Sequence, residues 1–244
     1  AAEVSQRLEK ALNTASLIAD TLRSLRTAGM ANRETANTIM SGVLAGAPEL
    51  VGIGSGWEPN TFDGKDSEYA NQPGHDATGR FVPYWSKSSG QVQVEPLADY
   101  EKPGAGDYYL VPREKRQPML LEPYLYPIAG QPVLVTSVCM PILDEGRFAG
   151  IIGIDITLDS LQEQVAKVRI YDSGYGSLIS NQGVIVGDRD PAKAGQDMAK
   201  AGFSEAARAA VNSGHKYRES VFDSRLGVQV TRLYVPKKVG ATDT

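Results

Sequence analysis

Residues 120–158 read LLEPYLYPIAGQPVLVTSVCMPILDEGRFAGIIGIDITL, and this stretch decides the class of the fold. Three apolar runs, Leu120–Tyr126, Val133–Ile142 and Phe148–Leu158, are separated by turn signals at Ala129-Gly130 and Asp144-Glu145-Gly146. Parallel strands need a crossover of a dozen residues or more, so connections this short make the three strands antiparallel neighbours. In the last run the period of two sets Ile152, Ile154 and Ile156 on one face and Gly153, Asp155 and Thr157 on the other. A carboxylate in the middle of a strand needs solvent or a partner, because burying it bare is expensive. An open sheet face would supply the solvent. A cavity beneath that face would make Asp155 its anion.

Upstream, Val4, Leu8, Leu12, Ala15, Ile18, Leu22 and Leu25 recur every three or four residues. That is one apolar stripe along a helix of about seven turns. Such a helix is a spine for more than one module, or half of a dimer seam. Asn32 is placed to cap a second helix, which Gly46 and Pro48 stop. Leu50–Gly56 reads as a glycine-laced strand, residues 79–97 as two strands broken at Ser88-Ser89-Gly90, and Asp107–Lys115 as a helical turn or short helix. Leu158–Val168 reads as a helix capped by Thr157 or Asp159, after which the pattern restarts on a smaller scale. A hairpin of Ser177–Ser180 with Val184–Val186, a helix at 202–213, and strands at 216–222 and 228–235 are expected there. The fold class is α+β with two antiparallel-sheet modules. Expected segments are a helical spine at 1–44, a larger module at 45–157, a linking helix at 158–168 and a smaller module at 169–244.

Composition narrows the function. A formal net charge of −4, from 25 basic and 29 acidic residues, argues against a nucleic-acid partner and suits a cationic one. One cysteine, Cys139, permits no internal disulfide, and His75 and His215 stand far apart without a cysteine cluster, so no metal site is expected. No run of 18 apolar residues occurs in the sequence, and no signal peptide pattern opens it. Gly52, Gly54 and Gly56 alternate, but Trp57 stands where a dinucleotide fingerprint needs its third glycine. No Gly-x-Ser-x-Gly elbow or Walker loop is present, so neither an enzyme nor a cofactor is expected.

The distinctive feature is aromatic. Tyr84, Tyr100, Tyr108, Tyr109, Tyr124 and Tyr126 are six of the eleven tyrosines, and Trp85 stands among them. Asp107, Glu122 and, further on, Asp155 supply acids. Aromatic faces attract cations, and a carboxylate beside them adds a charge-assisted bond to any N–H. Together they suit an amine or quaternary ammonium ligand. The plainer alternative is sheet packing, for which tyrosine is well suited.

These residues also carry a resemblance. Gly79-Arg80-Phe81-Val82-Pro83-Tyr84-Trp85, Glu122-Pro123-Tyr124 and Gly150-Ile151-Ile152-Gly153-Ile154-Asp155 resemble successive landmarks of the double Cache sensor domains of bacterial chemoreceptors and sensor kinases. The resemblance covers nearly the whole chain. It implies two PAS-like modules on a long helix, outside the inner membrane, with ligand in the membrane-distal module. It also implies a receptor homodimer anchored by segments outside this sequence. Amino-acid-sensing members carry an arginine that grips the ligand carboxylate, and that position is Val82 here. Their ammonium-binding aspartate corresponds to Asp155, and the acid of their Tyr-x-Asp corresponds to Tyr126. The Tyr84-Trp85 pair and Asp107-Tyr108-Tyr109 are similar to amine-sensing members. The expected ligand site is therefore Tyr84, Trp85, Asp107, Tyr109, Glu122, Tyr124, Tyr126 and Asp155. Quaternary ammonium compounds, biogenic amines and polyamines are the candidate ligands. Four other readings remain: an L-amino-acid sensor using Arg80, the sensor of a histidine kinase or cyclase, a hydrolase using Asp107, Glu122 or Asp155, and a dimerisation module built on the long helix.

Overall fold

The structure is a computed structural model that describes residues 2–88, 90–223 and 227–242. Helices are α1 (Ala2–Thr27), α2 (Arg33–Gly46), α3 (Asp107–Lys115), α4 (Leu158–Val165) and α5 (Glu205–Asn212). Strands are β1 (Gly52–Trp57), β2 (Pro83–Ser88), β3 (Gln91–Pro96), β4 (Met119–Leu120), β5 (Tyr124–Ile128), β6 (Gln131–Asp144) and β7 (Arg147–Thr157). Four more follow: β8 (Leu178–Ile179), β9 (Ile185–Gly187), β10 (Tyr217–Asp223) and β11 (Val228–Tyr234). The chain divides into two compact units. One is Gln6–Thr157 with the described residues from Val239 onward, and the other is Leu158–Lys238 with the described residues before Gln6.

The first unit is built on a seven-stranded antiparallel sheet in the order β3-β2-β1-β7-β6-β4, with β5 also paired to β6. Two tight turns set much of it. Ala129-Gly130 and Glu145-Gly146 all have positive φ, the two-residue hairpin geometry whose twist matches that of the flanking strands. The strand expected over 120–126 is instead two short ones, β4 and β5, laid along different parts of β6. Pro123 falls in the gap, where its missing N–H cannot join a ladder. The break expected at Ser88-Ser89-Gly90 falls partly on Ser89, outside the described residues; β2 and β3 flank it.

Register decides what each face carries. Gly52 lies opposite both Ser86 and Asp155, and Gly54 opposite both Tyr84 and Gly153. Directly opposed residues share a face, so Ser86, Tyr84, Gly153 and Asp155 all project to the glycine side of β1. That side is covered by α3, which brings Tyr108, Tyr109 and Pro112 onto the sheet. The opposite side carries Ile53, Trp85 and Ile154 and receives α2. Asn32 caps α2 as expected, its side-chain oxygen accepting from the Thr35 N–H at 2.8 Å.

The second unit has no single second sheet among its described residues. It has two separate antiparallel ladders, β8–β9 and β10–β11, around a small cluster of Ile185, Met198 and Ala207. Asp188 and Asp223 are buried carboxylates of this unit, and Asp188 accepts from the Ser177 hydroxyl and the Asp190 N–H.

Candidate functional site

Asp155 faces inward from β7 and is 5% exposed. One carboxylate oxygen accepts the Ser137 hydroxyl at 2.5 Å, and the other accepts the Tyr84 phenol at 2.6 Å. Ser137 spends its only proton there, so the Tyr124 phenol, 2.8 Å away, donates to the Ser137 oxygen. The result is a chain from Tyr124 through Ser137 and Asp155 to Tyr84, all hydroxyls and one charge. No cation reaches the carboxylate among the described residues. Burial pushes the Asp155 carboxyl up to about 6, against the two hydroxyl bonds that pull it down. Tyr84 in turn is pushed well above its usual value by burial and by the Asp155 charge.

A small cavity lies over this carboxylate, lined by Gly54, Tyr84, Leu97, Tyr108, Tyr124, Tyr126, Ser137, Cys139, Ile151, Gly153 and Asp155. Its free space is about 10 Å³, room for about one water. Three of its tyrosines are tethered away from the carboxylate. Tyr108 donates to the Ala98 carbonyl at 2.6 Å, Tyr126 accepts the Ala98 N–H at 3.1 Å, and Tyr124 holds Ser137. What they present inward is ring surface.

The glycines of β1 make this arrangement fit. A Cβ on Gly52 would stand 2.2 Å from the Tyr84 phenol oxygen, and one on Gly54 would meet Leu97 at 3.0 Å. The alternation that reads in sequence as a glycine-laced strand is thus the floor on which Tyr84 lies to reach Asp155.

Of the eight residues expected at the site, the structure brings Tyr84, Tyr124, Tyr126 and Asp155 together. The other four lie elsewhere. Trp85 follows Tyr84 on the strand, so it leaves from the opposite face, and its indole N–H donates to Asn37 of α2 at 3.0 Å. Tyr109 is buried beside Arg80 and Glu58, not against the cavity. Asp107 is exposed at the start of α3, where it accepts the Gly104 N–H at 2.8 Å. Glu122 is half-buried in the link between β4 and β5 and is not in the cavity wall. Gly54, Leu97, Tyr108, Ser137, Cys139, Ile151 and Gly153 complete the wall and were not among the expected residues. For Ser137 and Cys139 the available signal was strand parity on β6.

Arg80 is also elsewhere. It is 3% exposed, donates to the Trp57 carbonyl, the Tyr109 phenol, Glu101 at 2.6 Å and Glu58 at 3.2 Å, and lies 4.9 Å from the Tyr100 ring centre. With Arg33, which bonds Asp63, Asp66 and the Gly79 carbonyl, it pins the long loop between β1 and β2. A larger depression of about 240 Å³ lies between α1 and α2. Its charged lining is Arg7, Lys10 and Glu49, with Lys10 paired to Glu49 at 2.6 Å, so it is ill suited to a cation.

Comparison with known proteins identifies the frame. Residues 37–163 match the model of the methyl-accepting chemotaxis protein-like family, first PDC sensor domain. The chain belongs to that family. Among curated proteins, this PDC sensor chain is 33% identical over 174 residues to methyl-accepting chemotaxis protein TlpQ of Pseudomonas aeruginosa, covering 65% of the chain and 24% of TlpQ. The match thus spans about a quarter of that relative's length. Among solved structures, the extracellular domain mmHK1S-Z3, ascribed to a histidine kinase, superposes with a TM-score of 0.86 at 36% identity. That match covers 98% of this chain and 85% of the other. Methyl-accepting chemotaxis protein X matches in fold, with a TM-score of 0.80 at 22% identity over 100% of this chain and 89% of the other. These relatives are sensory domains. In the PDC sensor described here, no helix among the described residues is long and apolar enough to cross a membrane.

Losing Trp85 tests its reassignment from the cavity to the helix side. Trp85→Ala should cost roughly 2 kcal/mol in urea unfolding, less than a fully buried tryptophan, and leave affinity for any cavity ligand unchanged.

Proposed function

We propose that the first unit binds small organic amines as the membrane-distal, ligand-binding module of a chemoreceptor. On this reading the domain is periplasmic, and its parent is a homodimer anchored in the inner membrane by segments outside this chain. The observation that carries the reading is Asp155, a buried carboxylate under tyrosine rings whose only partners among the described residues are two hydroxyls. A buried charge normally has a counter-charge, since one left without it is costly. An ammonium group supplies that charge, and the ring faces around it add cation–π attraction. A carboxylate-bearing ligand would need a cation in the wall, and no lysine or arginine among the described residues lines the cavity.

The test is a thermal-shift and calorimetric series of amines against L-amino acids and organic acids. Amines should raise the melting temperature, by an amount equivalent to about 2.7 kcal/mol at 100 times the dissociation constant. Stabilisation by amino acids alone would overturn the proposal. Acid should weaken binding in a defined window. Asp155 must be ionised to hold a cation, so affinity for an amine that stays protonated throughout should be flat above about pH 6. Below that it should fall about tenfold per pH unit as the carboxyl takes up its proton. Calorimetry from pH 5 to pH 8 would show the break.

A further inference from the structure

Ser86 is fully buried, and its hydroxyl has no hydrogen-bond partner among the described residues. Buried hydroxyls are rarely left so, and each case asks for an explanation. Its position supplies one. Ser86, Gly52 and Asp155 form a single row across β2, β1 and β7, with Ser86 and Asp155 each directly opposite Gly52. All three face the cavity side. The two polar side chains therefore stand two inter-strand spacings apart, about 10 Å between backbones, with a bare glycine between them. That strip is covered by the Tyr84 phenol, whose oxygen would collide with any Cβ on Gly52.

We propose that this strip, with Asp155 at one end, Ser86 at the other and Gly52 as floor, is the seat of a ligand's primary or secondary ammonium group, which Tyr84 occupies until the ligand displaces it. The proposal rests on the amine reading above and refines it. The free space of about 10 Å³ admits no organic ammonium unless a wall side chain moves. Tyr84 is the tyrosine to move. Tyr108 and Tyr126 are tied to the backbone of Ala98 and Tyr124 to Ser137, whereas Tyr84 is tied to the very oxygen an ammonium would take. Once it swings aside, one N–H of the ligand goes to Asp155 and a second to the Ser86 oxygen. A quaternary ammonium has no N–H to give either group and leaves Ser86 as it is.

Calorimetry on the whole domain with n-butylamine and butyltrimethylammonium, which share a chain and differ in N–H groups, tests this. Butylamine should bind at least about tenfold tighter, the worth of one hydrogen bond to a charged group. Ser86→Ala should lower butylamine affinity by about the same factor, leave the trimethylated probe unchanged, and keep the melting temperature. Tyr84→Phe removes the internal competitor and should tighten butylamine binding severalfold. Equal or tighter binding of the trimethylated probe, an unaltered butylamine affinity in Ser86→Ala, or weaker butylamine binding in Tyr84→Phe overturns the seat. If in any of those cases Asp155→Asn still abolishes binding, the amine reading survives. If neither probe binds the wild-type domain, or Asp155→Asn binds butylamine normally, both proposals fall.

Discussion

Asp155→Asn should give a domain that melts higher at neutral pH and binds amines far more weakly. The stability gain follows from the raised carboxyl. Its folded value of about 6 lies above the usual carboxylate value of 3.8, so the folded state binds the proton more tightly than the unfolded chain does. Ionised Asp155 thus opposes folding. The cost is complete above about pH 6, shrinks as pH falls, and vanishes below the unfolded value near 4. Two units correspond to about 3 kcal/mol, an upper bound for the gain. Asparagine keeps the shape and can still exchange hydrogen bonds with Ser137 and Tyr84. Affinity for an amine should drop by about ten- to a hundredfold, since the bond to charge is lost. Paired urea melts at pH 7.5 and pH 4.5, with calorimetry at the higher pH, check both halves. A variant that is less stable at pH 7.5, or that binds as before, would contradict the account of the site.

Arg80→Leu should do the reverse, harming the fold rather than recognition. Its guanidinium serves the Trp57 carbonyl, the Tyr109 phenol and two carboxylates, Glu58 and Glu101, in an almost fully buried setting. Removing one partner from such a group strands the others, and the typical cost is about 3–5 kcal/mol. Arg80→Lys should recover only part of that, because a point charge cannot reproduce a planar fork. Denaturant unfolding measures the loss, and calorimetry well below the melting point measures what is left of binding. Were Arg80→Leu as stable as the wild type but deaf to L-amino acids, the arginine would be a ligand contact and the amino-acid reading would hold.

The fold class was largely legible from residues 120–158, because short turns allow only antiparallel neighbours. The capped start of α2 at Asn32 and the span of α3 were equally plain. The site was half legible. Asp155 announced itself as a charge in the middle of a strand, on a face that could equally have met solvent or a cavity, and the tyrosines as a cluster. The partner of Asp155 was hidden by a bulge. Counting back from the turn at Glu145-Gly146 alone sets Thr136 opposite Asp155, but an extra residue on β7, Ala149, facing the step from Ile142 to Leu143, shifts the ladder and sets Ser137 there. One residue of slip exchanges the faces of a strand, and a bulge is not readable from composition. Trp85 was misplaced for a simpler reason. Two aromatics in succession were assigned to one cavity, although consecutive strand residues face opposite ways.

That opposition has a mechanical consequence. Tyr84 grips the buried carboxylate on one side of β2, and Trp85 grips Asn37 of α2 on the other. The joint between them is one planar peptide, about 3.8 Å from Cα to Cα and stiff about its central bond. Travel of the one backbone is travel of the other. A sheet is usually a partition between two half-cores, but on the amine reading β2 would serve as a rocker mounted through it. A sensor assembled this way needs no long relay from pocket to helix, because the linkage is one residue long.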